Sequence, residues 1–368
     1  MRVLVTGHHG YLGSVLTPLL TAAGHEVAGL DTDLYADRLL GPPPAEVPTT
    51  RMDVRDVGPE QCAGFDAVVH LAALCNDPLG NLDPDLTVEI NHGATLRLAR
   101  AARAAGVPRF VFASSCSLYG AGQQDTPLTD AGRFAPLTDA GRFAPLTDAG
   151  RFAPLTEDAG FAPLTVYGET KVAAERDLLA LAGDDFSPVF ARNATAYGFS
   201  PRLRTDLVVN DLVAHALLTG EVRLLSDGTA WRPLVHAEDI GQAMLALLEA
   251  PREVVHGRAY NVGTTGENHL IRDVATMVAE VVDGSRVTFA AGAGTDARDY
   301  RVDCGRIAAE VPAFRPRWTL RKGIEELVEA YRRHGLTLPD VRDRYQRLAR
   351  IRELRAAGRL GPGLRWIG

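Results

Sequence analysis

The hydrophobic pattern of the first third of the chain switches repeatedly between two periods. Arg2–Thr6 is a short apolar run rich in β-branched residues and reads as a strand, and Gly13–Ala23 follows with helical spacing. Glu26–Leu30 is a second strand, and Ala67–Leu71 is a third apolar run. Leu86–Ala105 gathers its apolar residues on one helical stripe, and Phe110–Ala113 returns to a strand. Short continuous apolar runs separated by helices predict βαβ units, and so an α/β chain with a doubly wound parallel sheet buried on both faces.

Two segments break this rhythm. The nonapeptide PLTDAGRFA occurs at 127–135, 136–144 and 145–153, and a degraded copy, PLTEDAGFA, fills 154–162. A period of nine is too short for the usual solenoid repeats, and the Pro and Gly in each copy oppose a continuous helix or strand. The expectation is a tandem duplication in a surface loop, because loops gain length at small entropic cost. A lid or an oligomer contact is the alternative. The second segment, 336–368, carries eight arginines against Asp340, Asp343 and Glu353, about +5, while the remainder of the chain is about −12. Val341, Tyr345, Leu348, Ile351 and Leu354 share one helical face, which predicts an amphipathic helix docked on the body with its arginines in water.

Composition narrows the function classes. A chain of 368 residues has room for two domains, and 46% hydrophobic with 23% charged residues is ordinary for a globular protein. A net charge of −7 argues against a broad basic surface for nucleic acid. No window approaches the ~18 apolar residues that span a bilayer, and MRVLVTG is not a leader pattern, so neither membrane insertion nor secretion is expected. Cys62, Cys75, Cys116 and Cys304 are scattered, which reads as reduced cysteine in a cytoplasmic protein. No HExxH motif or Cys/His cluster suggests a metal.

The candidate chemistry begins right after the first strand, in Thr6-Gly7-His8-His9-Gly10-Tyr11-Leu12-Gly13. Gly7 permits a tight turn, Gly10 lets backbone approach a pyrophosphate, and Gly13 lets the helix sit close to the strand. The helix N-terminus offers N–H groups and positive dipole to phosphates. Asp31 ends the second strand, where a carboxylate accepts hydrogen bonds from both adenine-ribose hydroxyls and repels a 2′-phosphate. NAD is therefore expected as cofactor rather than NADP.

The GxxGxxG spacing resembles the short-chain dehydrogenase/reductase superfamily, and further residues resemble its extended branch, the NAD-dependent epimerase/dehydratase family. These are His70-Leu71-Ala72-Ala73, Asp53-Val54, Asn91, Ser114–Gly120, Tyr167-Gly168-Glu169-Thr170-Lys171, Trp231–His236 and Tyr260-Asn261-Val262-Gly263. The resemblance covers about residues 1–330. It implies a Rossmann-type sheet with a smaller C-terminal α/β substrate-binding domain. The NAD-binding domain is expected at 1–190, carrying the 127–162 insertion. The substrate domain is expected mainly at 191–335, with 230–262 partly returning to the first domain, and a basic helical tail at 336–368. It implies NAD held by the glycine loop, Asp31, Asp53, Val54, Leu71, Ala72, Ala73 and Lys171, a small-molecule nucleotide-sugar substrate, and a homodimer.

Tyr167 and Lys171 are four apart and share a helix face, and a neighbouring ammonium lowers a tyrosine pKa. In the family's pattern Tyr167 is the base, Lys171 also holds the nicotinamide ribose, and Ser115 bonds the reacting oxygen. Ser115 and Tyr167 are 52 apart, about twice the family's spacing, and the three exact repeats account for 27 of that. Family dehydratases carry an acid right after the catalytic Ser/Thr, where this chain has Cys116 and Ser117. Cys116 reads as a small buried residue. Without the acid, removal and return of hydride, an epimerisation through a keto sugar, is the simplest chemistry. A dehydrogenase or reductase is the runner-up, then a dehydratase, then a non-catalytic NAD sensor. Substrate contacts are expected from Asn76, Ser117, Asn193, Asn210, Arg232, Arg298 and Arg301, although Thr195 stands where the family places an Asn.

Overall fold

The computed structural model describes residues 1–75, 77–120 and 154–367. Its twelve strands among these residues are β1 (Arg2–Thr6), β2 (Glu26–Asp31), β3 (Thr49–Arg51), β4 (Ala67–His70), β5 (Arg109–Ser115), β6 (Ser187–Asn193), β7 (Thr195–Tyr197), β8 (Glu221–Ser226), β9 (Trp231–His236), β10 (Ala259–Val262), β11 (Asn268–Leu270) and β12 (Arg286–Gly294). The eight helices of ten or more residues are α1 (Gly13–Ala22), α2 (Ala94–Ala104), α3 (Val166–Leu179), α4 (Val208–Thr219), α5 (Ala237–Glu249), α6 (Ile271–Val281), α7 (Leu320–Arg333) and α8 (Arg347–Ala356).

Seven strands form one sheet in the order β10-β6-β5-β4-β1-β2-β3, with every pair parallel. The alternation of side chains across β1 shows how it is covered. Val3 and Val5 pack with Leu16 and Leu20 of α1 and Ile240, Met244 and Leu247 of α5. Leu4 faces the other way, onto Leu98 and Ala102 of α2 and Leu178 of α3. Every residue of β4 and β6 is buried, while the short edge strand β3 is exposed throughout. A second apolar cluster joins α4, α6 and α7 beside the small sheets β11-β9-β7 and β12-β8. Among the described residues no helix is long and apolar enough to cross a membrane.

The long helical stripe ending at Ala105 is present with an interruption. A short helix, Pro84–Val88, passes through a π-turn at Glu89–Gly93 into α2. Asn91 lies in that turn. Its amide donates to the Leu74 carbonyl at 3.0 Å and accepts from the Leu74 N–H at 2.8 Å, pinning the loop after β4.

The C-terminal segment departs from expectation. A π-turn at Asp340–Arg344 separates Val341 and Tyr345, which join the α4/α6/α7 cluster, from α8. Ile351 and Leu354 of α8 pack with Leu34, Leu74, Leu79 and Leu86. Its arginines are not all in water. Arg347 and Arg350 are buried, and Arg350 donates to both Asp37 carboxylate oxygens at 2.8 and 2.9 Å and to the Leu34 carbonyl.

The repeat copies at 127–135, 136–144 and 145–153 lie outside the described residues. The fourth copy, expected in a surface loop with the others, is built into the fold. Leu155 is 4% exposed and bridges in parallel to Val302. The buried Glu157 accepts from the Asn261 N–H at 2.7 Å, Phe161 packs on the core, and the Ala162 N–H reaches the Leu118 carbonyl. Deleting residues 127–153 joins Thr126 to Pro154 and leaves this packed copy in place. The deletion protein is expected to unfold cooperatively near the wild-type midpoint and to bind NAD, because, if those copies are the loop that their sequence predicts, shortening it adds no closure cost. Insolubility, or a lost thermal transition, would show that those copies belong to the core.

Candidate active site

A cavity of about 1150 Å³ opens at the C-terminal ends of β1, β2, β4 and β5 and extends to the edge of β8. This is larger than the ~300–1,000 Å³ of a pocket for one small molecule, and so has room for a cofactor and a substrate.

One end is made by the glycine loop. Gly7 has φ +75° and its N–H reaches the Leu30 carbonyl at 2.8 Å, fixing the turn out of β1. A side chain on Gly13 would sit 2.4 Å from the Gly7 carbonyl oxygen, so α1 can approach the loop this closely only with glycine there. A side chain on Gly10 would meet only the Gly7 carbonyl within van der Waals distance, which leaves the loop backbone facing the cavity. Leu12 is the N-cap of α1 and no side chain caps the helix. Tyr11 lines the cavity and anchors the loop, its hydroxyl donating to the Gly198 carbonyl at 2.8 Å. Asp31 accepts from the His9 and Asp33 N–H groups at 3.0 and 2.9 Å. Burial pushes its carboxyl up, against the pull of those two donors. Asp53 and Val54 also line this end, with the Asp53 carboxylate paired to the buried Arg55 at 2.6 Å.

The wall from β4 is Leu71, Ala72 and Ala73. His70, just before them, is clamped between the Thr6 and Thr95 hydroxyls at 2.6 and 2.8 Å, and burial lowers it to about 3, so it is neutral.

The reactive end brings together residues from β5 and α3. Ser115 caps the turn after β5, accepting from the Ser117 N–H at 3.1 Å. Thr165 caps α3 through the Gly168 N–H, which places Tyr167 and Lys171 on the cavity. The Lys171 ammonium lies 5.5 Å from the Tyr167 ring centre and donates to the Ala113 carbonyl at 2.8 Å. Burial lowers it to about 8, still mostly protonated at neutral pH. Ser117 and Asn193 line the same end, and among the described residues the buried Ser117 hydroxyl and Asn193 amide oxygen have no hydrogen-bond partner. The Cys116 thiol turns away, donating to the Arg192 carbonyl.

Of the substrate candidates, Arg232 and Arg298 line the cavity and both donate to Asp296, at 2.6 and 3.0 Å. Asn210 does not reach it. Fully buried, it accepts from the Gly198 N–H and donates to the Gly198 and Arg204 carbonyls, a latch inside the fold. Arg301 is also off the cavity wall, stacked 4.7 Å over the Trp231 ring. Asn76 lies outside the described residues.

Sequence reading missed several groups. Arg204, paired to Asp206 at 2.9 Å and donating to the Cys75 sulfur, lines the cavity with both, as does Arg347. Behind the serine segment, Glu175 holds the Ser114 hydroxyl and the Arg192 guanidinium, with both charged side chains 6% exposed. Glu175 follows Lys171 by four on α3, a signal that its face continues inward. Among the described residues no group of three metal-ligating side chains assembles.

Comparison with known proteins agrees with this arrangement. The model of the NAD dependent epimerase/dehydratase family matches residues 3–141 and 145–263. A UDP-glucose 4-epimerase of Mycolicibacterium smegmatis is 30% identical over 347 residues, 90% of this chain and 99% of that protein. UDP-glucuronic acid decarboxylase 4 of Arabidopsis thaliana is 25% identical over 336 residues, covering 90% of this chain and 69% of its own. The solved structure of MoeE5 in complex with UDP-glucose and NAD superposes with a TM-score of 0.72 at 28% identity, over 91% of this chain and all of that one. The glycine loop open to the cavity, the uncapped α1, Asp31 and Lys171 fit NAD as the resident cofactor. This chain belongs to the NAD dependent epimerase/dehydratase family.

Proposed function

We propose that the chain is an NAD-dependent nucleotide-sugar epimerase acting through a transient keto sugar. The observation that carries this reading is the reactive end of the cavity, where Ser115, Tyr167 and Lys171 converge while the two positions after Ser115 hold no carboxylate. Tyr167 removes the proton of a sugar hydroxyl, and the Lys171 ammonium favours the phenolate. Ser115 donates to the oxygen as it becomes a carbonyl. The bound dinucleotide supplies the hydride acceptor. Tyr167 gives its proton back to the oxygen as the keto sugar is reduced on its opposite face, which would invert the carbon with no net change in the cofactor. Elimination of water needs an acid to help hydroxide depart, and Cys116, buried and turned from the cavity, offers none. In this reading Asn193 and Ser117 meet the sugar and Arg232 and Arg298 its diphosphate, as a planar guanidinium suits; their position on the cavity wall supports it.

The test is product analysis with catalytic NAD. UDP-glucose, the ligand in the MoeE5 structure, should be converted to its 4-epimer with no build-up of NADH. Stoichiometric NADH would make the enzyme a dehydrogenase. A product lighter by water, or carbon dioxide released from UDP-glucuronic acid, would assign it to elimination or decarboxylation.

A further inference from the structure

The family model ends well before the C-terminal segment, yet that segment forms part of the cavity wall. Gln346, Arg347 and Leu364 are among its lining residues. The segment is fastened there at several points. The Trp366 indole N–H donates to the Thr32 carbonyl at 2.6 Å, Arg55 donates to the Gly363 carbonyl at 2.8 Å, and Arg365 donates to Asp56 at 2.9 Å.

Arg347 stands out by its electrostatics. It is 3% exposed, its guanidinium lies 4.1 Å over the Tyr35 ring, and it donates to the Arg202 carbonyl at 3.1 Å. Among the described residues, Arg55, Arg192, Arg204, Arg232 and Arg350 are also buried, and each has a carboxylate within ion-pair distance. Among the described residues Arg347 has none at that distance, and neither does its neighbour Arg202, which donates to the Ser14 hydroxyl in the first turn of α1; Asp206 acts on Arg347, and Asp31 and Asp33 on Arg202, only from farther off. Among the described residues the buried Tyr35 hydroxyl on the same wall has no hydrogen-bond partner. Two neighbouring buried cations, one of them at the start of α1, with carboxylates only at longer range are costly unless an anion joins them.

We propose that the C-terminal segment is part of the binding site, and that Arg347 receives a diphosphate group in the cavity it shares with the glycine loop. Its planar fork matches two phosphate oxygens. Two molecules bring that chemistry, the dinucleotide cofactor and a nucleotide-sugar substrate, and only the second rests on the reading proposed above.

The experiment uses the full chain with Arg347→Met, which keeps the volume and removes the charge. Affinities for NAD and for UDP-glucose are measured by calorimetry after bound nucleotide is removed, together with the thermal midpoint of the ligand-free protein. The ligand-free midpoint should stay level or rise, since an uncompensated cation has gone. Affinity for one diphosphate should fall roughly 10- to 100-fold. A fall for NAD alone names the cofactor as the source, and a fall for UDP-glucose alone names the substrate. Unchanged affinity for both overturns the proposal, most plainly if the ligand-free midpoint drops, because Arg347 then serves the fold. Should Arg347→Met not fold, Arg347→Lys decides: it keeps the charge without the fork, and wild-type affinity for both ligands overturns the assignment. Wild-type protein that binds NAD but not UDP-glucose sinks the nucleotide-sugar reading and leaves the NAD arm intact.

Discussion

Tyr167→Phe is expected to lower turnover by ~10²–10⁴-fold, the usual contribution of a positioned general base, while NAD affinity and the thermal midpoint stay near wild type. The reason lies in how α3 is held. Its N-cap bond from Gly168 to Thr165 and its buried residues Val172, Ala174 and Leu178 do not involve the Tyr167 hydroxyl. Lys171 keeps its own bond to the Ala113 carbonyl, so the ammonium stays in place when the phenol oxygen is removed. The substitution thus takes away the acid–base group and leaves the elements that hold α3 in place. Steady-state rates with the nucleotide sugar, beside a cofactor titration, check it. A rate within a few-fold of wild type would take Tyr167 out of the chemistry.

Glu175→Ala should be the most destabilising single change near the site, by ~3–5 kcal/mol, because it leaves the Arg192 guanidinium buried without its carboxylate. The consequences spread along the network. Arg192 also donates to the Tyr119 hydroxyl at 3.0 Å and to the Glu157 carbonyl at 2.9 Å, so it ties the serine segment, α3 and the fourth repeat copy to one charge pair. Glu175→Gln preserves an acceptor for the Ser114 hydroxyl and should lose less. Denaturant unfolding of the two variants measures both. A loss under 1 kcal/mol for Glu175→Ala would mean that water reaches the guanidinium and that the pair is not a closed unit.

Local chemistry was legible in the sequence where one element carries it whole. The strand, glycine turn and helix from Arg2 to Ala22 are a single contiguous unit, and Tyr167 and Lys171 share a helix by spacing alone. Cys116 could be read as a small buried residue because its neighbours already named the strand end. What the sequence hid depends on partners brought from elsewhere. Asn210 reads as a polar residue free to meet a ligand until the fold encloses it with Gly198 and Arg204. Arg301 reads as a phosphate ligand until Trp231 lies under it. The apolar face of the C-terminal segment was visible from its periodicity. The burial of Arg347 and Arg350 was not, because their partners Arg202 and Asp37 belong to other parts of the chain. The fourth repeat copy looked like its siblings, yet Leu155 and Glu157 found places in the core.

The fastening of the C-terminal segment also sets an order of events during synthesis. Trp366 meets Thr32 across 334 positions, Arg350 meets Asp37 across 313, and Arg365 meets Asp56 across 309. A ribosome adding ~5–20 residues per second delivers Trp366 about 20–70 s after Thr32, long after the strands around the glycine loop can have paired. Contacts of such span close late, so the nascent chain displays an open nucleotide cleft and gains its outer wall only once residues 347–366 have emerged. Cofactor capture by a nascent chain still lacking that segment should accordingly be weak and reversible, and tight retention should begin once the segment has docked.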